Sequence, residues 1–77
     1  MKNQLNKAVL MHAHGVQEVA KTNILVYMNQ PVGIGEHSDV VEAIQLELDK
    51  MATAQDRIDM MDLVMDHENV LEHEYVD

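Results

Sequence analysis

A chain of 77 residues with 47% apolar and 25% charged side chains has the balance of a folding domain, and its 14 acidic against 5 basic residues give a formal net charge of −9, so a disordered acidic tail is the wrong class. The absence of cysteine excludes a disulfide scaffold and thiolate metal sites and points to a cytoplasmic location. The only aromatics are Tyr27 and Tyr75, too few for base-stacking platforms, and the longest apolar run, Ile24 to Met28, is far short of the roughly 20 residues of a membrane span. Neither direct nucleic-acid binding nor membrane insertion is expected. Met1-Lys2-Asn3-Gln4 leads into no signal-peptide core.

In the first part of the chain Leu5, Val9, His12, Val16, Val19, Asn23 and Val26 recur at alternating spacings of four and three. This spacing predicts an amphipathic helix over about residues 3–29, with Ala8, Gly15 and Thr22 on one flank and Ala13, Ala20 and Tyr27 on the other. On this reading His12 is an interior or interface histidine, and Asn23 sets helix register. Pro31 disfavours helical geometry at Gln30 and should end the helix there.

Punctuation is concentrated in Pro31-Val32-Gly33-Ile34-Gly35-Glu36-His37, which predicts one connector over about residues 30–38. Beyond it, Ile44, Met51, Ile58 and Met65 fall seven apart, with Val40, Val41, Leu48, Ala54 and Met61 in the intervening turns. A second helix over about 39–72 follows, opened by a capping box at Asp39-Val40-Val41-Glu42 with Ser38 as the alternative cap, and closed by a frayed acidic C-terminus. No internal repeat or further element fits.

The expected fold is all-α, one domain over residues 1–77 built as an antiparallel two-helix hairpin. Residues should face each other when their numbers total about 68. A hairpin buries only the strip between its helices, whereas ordering a residue costs on the order of 1.5 kcal/mol, so it is marginal alone. Apolar residues also exceed one stripe. Leu10, Met11, Ile24, Leu25 and Met28 in the first helix and Met60, Leu63 and Val64 in the second point away from a single neighbour, which predicts a homodimer forming a four-helix bundle.

No motif for catalysis or cofactor binding is complete, so neither a cofactor nor a metal is expected. Gly33-Ile34-Gly35 lacks the second parallel strand of a dinucleotide site. His14 with Glu18 is the only His/acid pair at helical spacing in the first helix, and no known ligand signature occurs among His67, Glu68 and His73. Asp59-x-x-Asp62 with Asp66 resembles the acidic half of the all-α nucleotide pyrophosphohydrolases, which hold magnesium between helices. The nearest counterpart here, Glu36-x-x-Asp39-x-x-Glu42, straddles the connector.

Charge is divided unevenly: Lys2, Lys7 and Lys21 face only Glu18 before residue 36, while 13 acids follow against Lys50 and Arg57. That acidic half is either a solvated face or a surface for a basic partner, as in mimicry of nucleic-acid phosphate. The segment from Val26 to Ile44, and most specifically Gly33-Ile34-Gly35-Glu36-His37, resembles small uncharacterised proteins of T4-like marine cyanobacterial phages. The resemblance implies a phage accessory protein in a host cytoplasm and supplies no mechanism. The expected function is a non-enzymatic protein-interaction or assembly module, with Gly33, Ile34, Gly35, Glu36 and His37 as candidate interaction loop. Acidic nucleic-acid mimicry is the alternative, and metal-dependent nucleotide hydrolysis the third.

Overall fold

The computed structural model describes the backbone of residues 1–30 and 37–76 and the side chains of 1–30 and 39–67. Two helices, α1 (Lys2–Asn29) and α2 (His37–Val76), pack antiparallel against each other, and no strand occurs among the described residues. Each helix has a physical reason to stop or start where it does. Gln30, immediately before Pro31, takes an extended conformation (φ −78°, ψ 131°) and its N–H bonds the Tyr27 carbonyl. Asn29 Nδ2 also donates to the Leu25 carbonyl one turn back, at 2.7 Å.

α2 begins two residues before the expected start and runs on to Val76, past the expected end near residue 72. No proline or glycine follows Gly35, so nothing in the chain opposes propagation towards the C-terminus. Asp39 thereby falls in the first helical turn rather than at the cap, where its charge suits the helix dipole. The Gly33 to Glu36 part of the candidate loop lies outside the described residues, and of His37 only the backbone is described.

The face by which α1 meets α2 is not the valine stripe expected from the sequence. The less exposed positions centre on Asn6, Leu10, Ala13, Gln17, Ala20, Ile24 and Tyr27, a 4-3 repeat one residue out of step with the expected one; of the expected stripe Val16 and Asn23 are part-buried at its edge, whereas Leu5, Val9, His12, Val19 and Val26 are exposed. One residue turns a helix by about 100°. Leu10 and Ile24, expected on an outer face, therefore belong to the hairpin seam, with Ile24 only 8% exposed. On α2 the seam follows Val40, Ile44, Glu47, Met51, Ala54, Ile58, Met61 and Met65, close to expectation except that Val41 is exposed and Glu47 takes the place of Leu48.

Alanine dominates the interior: Ala13, Ala20 and Ala54 are each 1% exposed, and no large side chain among the described residues is fully buried. Small side chains at seam positions let the helix backbones approach closely, and bulkier neighbours such as Tyr27 and Ile24 fill the remainder. Register is visible in three bonds across the seam. Gln17 Nε2 donates to the Met51 carbonyl and to Gln55 Oε1, and Asn23 Nδ2 donates to Glu47 Oε2. The numbers in these pairs total 68 to 72, in agreement with folding back near residue 34.

The result is a rod of 67 × 18 × 12 Å with a radius of gyration of 18.6 Å, against about 11.5 Å for a compact domain of this length. Because α2 has 40 residues and α1 has 28, the C-terminal part of α2 extends beyond the start of α1. Ala54→Leu should lower stability by about 1–3 kcal/mol, since the seam has no room for three more carbons, whereas Ala52→Leu on the exposed side of α2 should change it by less than about 0.5 kcal/mol. Urea unfolding followed by far-ultraviolet circular dichroism measures both.

Candidate functional site

The two sides of the hairpin differ in chemistry. One is bridged by amides: Gln17 reaches Gln55, and Gln55 Nε2 donates to Asp59 Oδ1 at 3.1 Å. The other side is open and largely apolar. Two adjoining hollows there, of about 520 and 420 Å³, share Val16, Glu47 and Lys50 in their walls. Val19, Ala20 and Gly15 continue the lining on α1, and Leu46, Thr53 and Arg57 on α2. The valine stripe of α1 thus borders an open groove instead of forming the hairpin core.

Glu47 is the one buried charged group among the described residues, 7% exposed. Its Oε1 accepts from Lys50 Nζ at 2.9 Å and its Oε2 from Asn23 Nδ2 at 3.3 Å. The Lys50 bond holds the Glu47 carboxyl below the usual carboxylate range; burial opposes this, while the Asn23 bond and the lysine charge act with it. Satisfied on both oxygens, the carboxylate ties α1 to α2 at one register. Asn6 offers a contrast, since its buried Oδ1 has no hydrogen-bond partner, an arrangement that costs on the order of 1–3 kcal/mol.

Of the residues expected on an outer face, Met11, Leu25, Met28, Met60, Leu63 and Val64 are exposed, whereas Leu10 and Ile24 are not. His12 is exposed on the groove rim and His14 is exposed as well. Of the acidic motif, Glu36 lies outside the described residues. Asp59, Asp62 and Asp66 are exposed on α2, and Asp39 and Glu42 lie on the same helix about 20 residues earlier, roughly 30 Å along its axis. No group of three or more His, Asp or Glu side chains able to hold a metal ion occurs among the described residues. Ile24 to Met28 is helical, so no strand precedes the glycines. No described helix is long and apolar enough to cross a membrane.

Comparison with family models, curated proteins and solved structures finds no match to this chain. Sequence reasoning missed Glu47 as a cross-helix link; the signal available was an acid three residues after Ile44 and four before Met51, on the seam repeat, with Lys50 one turn on.

Because the folded Glu47 carboxyl titrates below its unfolded value of about 4.3, its contribution is fully present above that pH and lost as pH falls through the folded value. The stability advantage of the natural chain over Glu47→Gln should therefore shrink as pH is lowered from about 6 to about 3. Melting temperatures of both proteins across that range check this; a difference independent of pH would refute the assignment.

Proposed function

We propose that the chain is a non-enzymatic interaction or assembly module that works as a homodimer of hairpins, four helices in all, leaving its acidic helices available to a protein partner. Surface area carries this reading. The 8.8 kDa chain exposes 6168 Å², whereas a compact monomer of that mass exposes about 4,800 Å². The excess, about 1,400 Å², is larger than the roughly 800 Å² each partner contributes to a standard interface. Exposed apolar side chains contribute to it, with Leu5, Val19 and Val26 each more than 50% exposed, and such uncovered apolar surface favours association.

The resemblance around Gly33 to His37 fits this reading with a phage accessory protein acting in a host cytoplasm. Sedimentation equilibrium at micromolar concentration should give twice the chain mass, with helicity falling on dilution. A monomer that keeps full helicity would overturn the proposal.

A second reading has its own support in the exposed carboxylates of α2, where Glu42, Asp49 and Asp56 fall seven apart and Asp59, Asp62 and Asp66 continue the acidic surface. A basic nucleic-acid-binding protein would meet there a row of negative charge at near-regular intervals. If the module acts in this way, binding to such a partner should weaken at least tenfold between about 50 and 200 mM salt. Titrations by fluorescence anisotropy measure that slope, and an affinity insensitive to salt would remove mimicry.

A further inference from the structure

Resting on the homodimer reading above, we propose its geometry: two copies pair through α1, antiparallel, about a two-fold axis that passes close to Gly15. α1 has a second 4-3 repeat besides its seam with α2. Large residues at Leu5, His12, Val19 and Val26 alternate with small ones at Ala8, Gly15 and Thr22, and all seven are exposed in the single hairpin. A helix with two such repeats on different sides is built to contact two neighbours.

Gly15 gives the position of the axis. A Cβ at this residue would meet nothing within 4 Å, so the hairpin has no packing use for a glycine that disfavours the middle of a 28-residue helix. Full overlap of the Leu5 to Val26 repeat with its antiparallel copy requires facing residues to total about 31, which puts the axis between residues 15 and 16. The backbones then cross where the missing side chain allows the closest approach. Leu5 of each copy meets Val26 of the other, and Ala8 meets Thr22, as a two-fold interface demands.

Charge selects α1 over α2 as the shared helix. α1 carries three lysines against Glu18, while α2 carries eleven acids against Lys50 and Arg57. Apposing two copies of α2 would bring like charge together along its whole length; apposing α1 keeps the acidic helices apart and in water. The interface also adjoins the open groove at His12, Gly15 and Val19, which the second copy would cover.

The chain has no cysteine, so single-cysteine variants report the pairing directly. Under mild oxidation Gly15→Cys should link to its own copy, because only near the axis do equivalent Cα atoms come within disulfide range, about 4.4–6.8 Å. Leu5→Cys should link in mixtures with Val26→Cys, and neither should link to itself. Leu63→Cys on α2 should remain reduced. Gly15→Leu should raise the dimer dissociation constant at least tenfold while the hairpin keeps its helicity at high protein concentration, since the open space around residue 15 tolerates the side chain within one copy. Sedimentation of the unlabelled natural chain separates the two levels of inference. A dimer that links through Leu63→Cys, or that is indifferent to Gly15→Leu, overturns this geometry and leaves the dimer standing; a monomer overturns both.

Discussion

Close approach of α1 and α2 at alanine is the constraint from which the rest of this structure follows. Ala13, Ala20 and Ala54 are the most completely buried residues where the two long helices meet, each 1% exposed. The contact is well defined in register, because Glu47 must meet Asn23 and Gln17 must meet Met51 and Gln55. It is poor in hydrophobic burial, since an alanine withdraws little area and each apolar Å² is worth only about 25 cal/mol. Specificity and stability are thus supplied by different parts of the chain: polar groups choose the alignment, and the larger aliphatic side chains are mostly left outside.

That arrangement gives the apolar surface its distribution. A helix that uses Ala13 and Ala20 for its internal partner presents Leu5, Val9, Val19 and Val26 to the outside, and they are too many and too nearly continuous to be scattered surface residues. The opposite side carries the Gln17, Gln55 and Asp59 ladder, which is content in water. Apolar exposure is not confined to one side, since Val41 and Leu48, fourteen and seven residues before Gln55 and so on its face of α2, are about half exposed.

Charge adds a second asymmetry. The acidic residues of α2 repel one another along a helix about 60 Å long, and Lys50 and Arg57 are its only internal cations. Lys50 is engaged with Glu47, while Glu42, Asp49, Asp56, Asp62 and Asp66 are exposed. α1, nearly balanced and apolar, is suited to contact with protein; α2 is suited to the periphery. Asp39 and Glu42 share this helix with Asp59, Asp62 and Asp66.

Helix number, approximate extent and antiparallel order were legible in the residues themselves: Pro31 stops one helix, the glycines mark one connector, and a 4-3 apolar spacing admits nothing but helix on either side. The register near 68 followed from where the chain must fold back. The α2 seam was legible too, since Ile44, Met51, Ile58 and Met65 make only one good stripe. The azimuth of α1 was not. Its valine repeat and its alanine repeat have the same period and lie about 100° apart, so periodicity alone cannot say which one faces α2, and hydrophobicity favours the valines. Only the packed pair decides, because the free energy of contact depends on how closely two backbones can come and on whether Asn23 can reach Glu47. Both are properties of two helices together, and neither is encoded in the pattern of one.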